Sequence, residues 1–373
     1  MHFLAIINFT AAVQGLFLSY LLVKRTGTKE HRLLASLVAA LSITILGAAL
    51  GLSGYYRQFP HLIRVGDPIV LLVGPLLYGY TSLLTRNALP RLYGWHLVPF
   101  GLYVFFLIPF YVSSGSQKIA FVDRVFMHPQ PNVEVVLIQT LRTVHVTAYV
   151  LISLNLIRRF QRLLKQNFSD IGKLNLSKTS FLLRLFVFIS LIRIGVYVAG
   201  IYWPINFVLT NNIIGLAISI VIYSLAYSNW HYAALVVAEP NPKPVDEKFR
   251  STYNLSNEQY TLLAQQLEHL LQGKQIYLEN ELSLAQLSQR LNIAPYQASE
   301  VIHRRYGEPF YDLINRHRIE EVKKRMLDPA FSHYSILGIA MDCGFTSKSS
   351  FNAAFKKFTE LTPSQYRQQM VAA

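Results

Sequence analysis

Seven stretches of about 20 mostly apolar residues crowd into the first 230 positions of the chain, and that spacing restricts the fold more than any other feature. They run Phe3–Val23, Leu33–Tyr55, Ile63–Thr85, Tyr93–Ser113, Val135–Ile157, Ser180–Gly200 and Ile205–Ser228. A bilayer core about 30 Å thick is crossed by about 20 helical residues, and helices suit it because lipid offers no partner to an open backbone N–H or C=O. Composition agrees: 52% of the residues are hydrophobic and 15% charged, where a soluble domain carries about a quarter charged. The expected architecture is all-α, with a seven-helix transmembrane bundle over 1–230, a Pro-rich linker over 231–255 and a soluble helical domain over 256–373. The opening Met1-His-Phe-Leu has neither the basic n-region nor the small-residue cleavage pattern of a secretory signal, so the first span is expected to be retained.

The formal charge of +15 is first a topology signal. Nineteen of the 35 Lys and Arg, but only 6 of the 20 Asp and Glu, precede Pro240, which leaves +2 for the rest of the chain. Lys24, Arg25, Lys29 and Arg32 lie between the first two spans, Arg86 and Arg91 between the third and fourth, and Arg158, Arg159, Arg162, Lys165, Lys173 and Lys178 between the fifth and sixth. The alternate loops hold only Arg57, Lys118 and Arg124. Basic loops stay cytoplasmic, so the N-terminus is expected outside and the C-terminal domain in the cytoplasm.

Polar residues inside the spans mark a second feature. Asp67 beside Pro68, Arg142 and His145 on the fifth span, and Arg193 on the sixth would each be costly in hydrocarbon unless paired inside the bundle. They are candidates for an intramembrane signal site, against the simpler reading of structural pairing; Arg184, near a span end, is expected to snorkel. Gly74-Pro75 is expected to kink the third span, and Trp95, Trp203 and Trp230 suit interfacial anchoring. The single Cys343 excludes an internal disulfide and any Cys-based metal cage, and reads as a small core residue.

Prolines 240, 242 and 244 favour an extended spacer. From Ser256, paired with Gln259 as a capping box, an amphipathic helix runs to Leu271. Two units with helix-turn-helix grammar follow, at about 283–306 and 335–358. In the first, Ser283 caps a short helix buried through Leu284, Leu287 and Leu291; Asn292 takes the turn, Pro295 opens the next helix and Gly307 ends it. In the second, Ser335 caps, Gly344-Phe345 turn, and Ser347 caps a helix buried through Phe351, Ala354 and Phe355. Between the units, Phe310–Leu327 is expected as one helix of about 27 Å, a spacer able to set two helices about one DNA turn apart.

These residues carry a resemblance. From Ile336 through Gly344-Phe345, Ser350-Phe351 and Thr362-Pro363 to Arg367 the sequence resembles the AraC/XylS family of transcription regulators, as do the first unit and Arg318-Ile319. The likeness covers about 110 residues, and the whole resembles membrane-embedded members with a multi-span N-terminus. It implies that the second helix of each unit reads bases, which on the matching positions means Tyr296, Ser299 and Glu300, then Lys348, Ser349 and Asn352. Glu300 and Ala353 stand where basic residues are frequent in the family, and Ala298 replaces a usual Leu. Phosphate contacts are expected from Arg304, Arg305, Lys356 and Lys357.

Catalysis finds no support in a Gly-rich phosphate loop, HExxH, CxxC or kinase signature, and neither cofactor nor metal is expected. The expected function is a membrane-embedded, sequence-specific regulator whose bundle senses an unknown ligand or signal and whose module binds double-stranded promoter DNA, with a homodimer as candidate assembly. The alternative is a transporter-like membrane protein with a regulatory DNA-binding tail, which solute flux in vesicles would reveal.

Overall fold

The computed structural model describes residues 2–26, 28–126, 133–171, 176–203, 205–228 and 255–372. Among these every regular element is helical, apart from one isolated antiparallel bridge between Phe168 and Ser283. Two compact units are present. One comprises Met1–Arg158 with Leu176–Asn241, the other Arg159–Asn175 with Pro242–Ala373. The second unit thus includes a short piece of chain from the middle of the sequence. Most of the Pro-rich linker, and Trp230, lie outside the described residues.

The first unit contains α1 (His2–Thr26), α2 (Lys29–Ser53), α3 (Val70–Arg86), α4 (Val98–Val112), α5 (Gly115–Phe126), α7 (Ser177–Tyr202) and α8 (Phe207–Ser228), with most of α6 (Val133–Asn167). Each of the seven expected segments contains a helix, but among the described residues five stretches are long and apolar enough to cross a membrane: Phe3–Lys24, Lys29–Ser53, Tyr93–Val112, Val136–Asn167 and Ser177–Gly200. The third expected segment, Ile63–Thr85, falls short because its first part is not helix. Tyr55–Arg57 and Pro60–Leu62 form single 3-10 turns, Arg64 takes φ 64, and Pro68 brings no N–H, so α3 starts only at Val70 and has 17 residues. α8 runs over 22 residues, of which Asn212–Ser228 is the apolar stretch among the described residues. The sequence reading also overlooked α5, an amphipathic helix between α4 and α6.

Close approach holds α1, α2 and α8 together. A Cβ on Gly15 would overlap the Ser42 and Tyr223 side chains, so only glycine lets them meet there. The Tyr223 hydroxyl donates to Ala11 O (3.1 Å) and lies 3.0 Å from Ser42 Oγ, while Asn8 Nδ2 donates to Asn212 Oδ1 at 3.3 Å. Pro75 sits inside α3, and its carbonyl receives the Tyr93 hydroxyl at 2.8 Å. The outside of the unit is strongly apolar. On α4 alone Leu102, Phe105, Phe106 and Val112 are exposed, a surface that a soluble protein rarely leaves open.

In the second unit α9 (Asn257–Glu268) runs into one π turn (His269–Gly273). Then come α10 (Leu284–Arg290), α11 (Pro295–Tyr306), α12 (Phe310–Leu327), α13 (Ile336–Asp342), α14 (Lys348–Thr359) and α15 (Pro363–Ala372). The 18-residue α12 matches the expected spacer and is the spine of two cores. Its first half gives Phe310, Leu313 and Ile314 to a cluster with α9, α10 and α11. The second half gives Ile319, Val322 and Met326 to a cluster with α13 and α14, and Cys343 is a buried member of it. Burial pushes the Cys343 thiol up to about 12, so it stays protonated and serves packing.

Arg318 lies at the seam of the two cores and is fully buried. Its Nε donates to Tyr277 O (2.6 Å) and its Nη2 to Glu279 O (2.7 Å), so the guanidinium is satisfied by the backbone that leads into α10. Phe345, from the second core, lies 5.6 Å from its charge centre. Burial pulls its pKa down to about 10, still far above neutrality. Gly344 closes the arrangement: it takes φ 91, and a Cβ there would come within 2.8 Å of Arg318 Nε and of Tyr277 O. Arg318→Met is therefore expected to cost about 1–3 kcal/mol for each buried carbonyl it leaves unpaired, and Gly344→Ala about 2–3 kcal/mol. Calorimetry of the full chain, following the transition of the second unit, checks both. Exposed Ser349→Ala should shift that transition little.

Candidate nucleic-acid interface

The two short helix pairs are built by caps before they are built by packing. Ser283 Oγ accepts the Gln286 N–H (3.3 Å) while Gln286 Oε1 accepts the Ser283 N–H (2.8 Å), a closed capping box that starts α10. Asn292 turns the chain in the left-handed region at φ 53, and the Ile293 N–H reaches back to Ser288 O at 3.0 Å. Pro295 opens α11, and Gly307 ends it at φ 68. In the second pair Ser335 Oγ accepts the Gly338 N–H (2.9 Å), Phe345 N–H donates to Ala340 O (3.2 Å), and Ser347 Oγ accepts the Ser350 N–H (3.1 Å). Each local choice named from the sequence is present, and both α11 and α14 turn an apolar stripe inward: Ala298, Val301 and Ile302 in one, Phe351, Ala354 and Phe355 in the other.

The outward faces differ. On α14, Lys348, Ser349, Asn352, Ala353, Lys356 and Lys357 are all exposed. On α11, Tyr296, Ser299 and Glu300 are half-buried. Glu300 Oε1 holds Arg304 at 3.5 Å, and the Arg304 guanidinium stacks over Tyr260 of α9 at 4.1 Å. Arg305 pairs with Glu268 at 3.4 Å. Both arginines expected on phosphates thus brace α9 against α11 in this structure. Lys357 is bound to Asp312 at 2.6 Å, whereas Lys356 has no ion pair among the described residues.

A helix-turn-helix domain family matches residues 287–369. The second unit contains a helix-turn-helix domain. Relatives of this domain include an uncharacterized HTH-type transcriptional regulator of Staphylococcus aureus strain COL, 34% identical over 93 residues, a match that spans 25% of this chain and 12% of that protein. The counterpart in strain MSSA476 matches to the same extent. The regulatory protein PocR of Salmonella typhimurium is 29% identical over 94 residues, 25% of this chain and 30% of its own length. The likeness to these relatives therefore covers about a quarter of this chain, and the match spans about an eighth of the staphylococcal relatives. No solved structure matches. Among the described residues no group of three or more His, Cys, Asp and Glu could hold a metal ion.

Sequence reasoning missed one set of contacts with this domain. Phe168, Ser169 and Asp170, directly after α6, pack against it. The Ser169 N–H donates to Leu282 O (3.0 Å), and Ser169 O accepts Asn315 Nδ2 (2.8 Å). Arg318 Nη2 reaches Ser169 Oγ at 3.2 Å. The Asp170 carboxylate accepts the Thr346 N–H (3.3 Å), the Thr346 hydroxyl, and the Ser350 hydroxyl (3.3 Å). One signal could have flagged it: Asp170 is the single acidic residue between Arg158 and Lys178.

In the first unit the expected intramembrane set divides. Asp67 and Arg142 do meet, at 3.3 Å, and Arg64, which the sequence reading did not include, joins them at 2.9 Å from Asp67. The Tyr103 hydroxyl accepts from both Arg64 (2.9 Å) and Arg142 (2.6 Å). His145 instead packs edge-on against Tyr149, with ring centroids 5.1 Å apart, and Arg193 donates to the Tyr197 hydroxyl at 2.8 Å. Arg142 Nε remains buried without a hydrogen-bond partner.

The exposed face of α14 predicts two separable effects. Asn352→Ala should relax sequence preference, and Lys356→Ala should weaken binding to all duplexes alike and lower the salt slope by about 1. Titration of the full chain with specific and mixed-sequence duplexes at several salt concentrations distinguishes them.

Proposed function

We propose that the chain is a membrane-embedded, sequence-specific transcription regulator of AraC/XylS type, in which a seven-span bundle senses a signal and the helix-turn-helix domain binds promoter DNA. The observation that carries this reading is the presence, in one chain, of span-length apolar helices and of two capped helix-turn-helix frames joined by α12. α3 and α8 complete seven spans if the 3-10 turns before α3 also lie within the membrane boundary. The basic loops then set the N-terminus outside and the domain in the cytoplasm of a bacterium. Tyr296, Ser299 and Glu300 of α11 and Lys348, Ser349 and Asn352 of α14 face bases, while Arg304, Arg305, Lys356 and Lys357 face phosphates, the paired ones exchanging a carboxylate for DNA.

The signal site of this reading centres on Asp67, Arg142 and Arg64. Two guanidinium groups share one carboxylate, which leaves positive charge for an anionic ligand. His145 and Arg193 stand outside that cluster and act, if at all, through the packing of α6 and α7. A homodimer fits a domain that is nearly neutral, because two weak half-sites add.

Mapping genomic DNA crosslinked to the intact protein tests the reading, with the protein located by membrane fractionation. Discrete enriched promoters and a membrane-bound chain are expected. A soluble chain, or DNA recovered without preferred sites, would refute it. Arg142→Gln should leave DNA occupancy intact but abolish its response to the stimulus that changes it in the parent.

A further inference from the structure

The start of α14 already holds an anion. Asp170 comes from 176 positions away in sequence, and its carboxylate sits on the Thr346 N–H, the Thr346 hydroxyl and the Ser350 hydroxyl. The N–H and hydroxyl of half-buried Thr346 and the hydroxyl of buried Ser350, at the positive end of a helix, make a site that suits any compact oxyanion, a phosphate as well as a carboxylate. α14 is the helix whose outward face offers Lys348, Ser349, Asn352 and Lys356, so an anion at its first turn lies at the edge of the surface that would meet DNA.

The rest of the segment follows the same side of the domain. Phe168 bridges to Ser283 at the start of α10, and Ser169 is buried against Asn315 and Arg318 of α12. Gln166, in the last turn of α6, lines a cavity of about 320 Å³ with Ser299, His303 and Glu308. Ser299 and His303 belong to the outward face of α11. The segment thus reaches a cavity shared with Ser299 and His303 and the first turn of α14, while Lys348, Ser349, Asn352 and Lys356 stay exposed.

We propose that Thr346 N–H, Thr346 Oγ1 and Ser350 Oγ form a DNA backbone phosphate site, which Asp170 fills in the DNA-free chain, so that segment 166–171 and DNA exclude one another. The proposal rests on the DNA-binding reading above and deepens it. It also gives the signal a route. α6 carries Arg142 and ends at Asn167, directly before Phe168. A shift of that helix would loosen or seat Asp170 without any change inside the helix-turn-helix domain.

The test uses the full chain in phosphatidylethanolamine–phosphatidylglycerol nanodiscs and a fluorescein-labelled mixed-sequence 30-bp duplex, since a phosphate site contributes to every sequence. Asp170→Ala is expected to bind about fivefold tighter or more, within the usual range of coupling between two sites. Bound duplex is expected to speed hydrogen exchange in the parent chain over 164–171. Unchanged or weaker binding by a folded Asp170→Ala overturns the proposal. Should that variant misfold, the parent decides alone: exchange over 164–171 that stays as slow with duplex as without it also overturns the proposal. If neither form binds duplex, the DNA-binding reading itself fails.

Discussion

A guanidinium with no exposure to water holds the helix-turn-helix domain together. Charge is costly to bury, and Arg318 is tolerated because its donors end on fixed acceptors: Tyr277 O and Glu279 O at 2.6 and 2.7 Å, with Ser169 Oγ at 3.2 Å. Those acceptors belong to two stretches of chain far apart in sequence, 277–279 and Ser169. α12 alone would connect the two helix pairs as a rod connects two weights, leaving each free to roll. Arg318, midway along it, ties the entrance of the first pair to Gly344-Phe345 of the second and so fixes their mutual rotation. Two reading helices can serve one DNA site only if that rotation is set, since each must meet its groove at the same time.

The same residue explains why the clasp docks where it does. Ser169 supplies a hydroxyl to Arg318 and a carbonyl to Asn315, completing a polar cluster in the seam that would otherwise hold fewer acceptors than donors. With Ser169 seated, chain geometry leaves Asp170 one residue away, within reach of the first turn of α14. Seam and clasp are thus one polar network, and a network of this kind is stable when every member is satisfied and labile when one leaves.

Local grammar was legible in the sequence, and long-range pairing was not. Ser283 with Gln286, Asn292, Pro295, Ser335 and Ser347 could be placed by eye because a cap or a turn is decided within four residues. The apolar segments were legible for a similar reason. Their ends were less so: Pro68 and the turns before it shorten α3, since a hydropathy window averages over a break that a single missing N–H creates. Of the expected intramembrane set, Asp67 and Arg142 meet, although 75 positions apart, while Arg64, inside the expected third span, was not among the residues named for it. Asp170 and Ser169 escaped notice because nothing periodic marks them; their partners lie more than 110 residues downstream.

Charge gives the final step. The segment from Pro240 onward carries a formal charge of only +2, and much of its basicity is spent internally. Arg290, Arg304, Arg305, Arg316, Lys323, Arg325 and Lys357 are each ion-paired with an acidic side chain of the same unit. Few phosphates can then be neutralised without first breaking a pair, so counterion release gives this domain little non-specific grip on DNA. A weak grip suits a domain whose access is set by competition. Against a strongly basic surface the clasp at Asp170 would always lose; against a nearly neutral one, a single carboxylate delivered from the same chain at high effective concentration can hold its own.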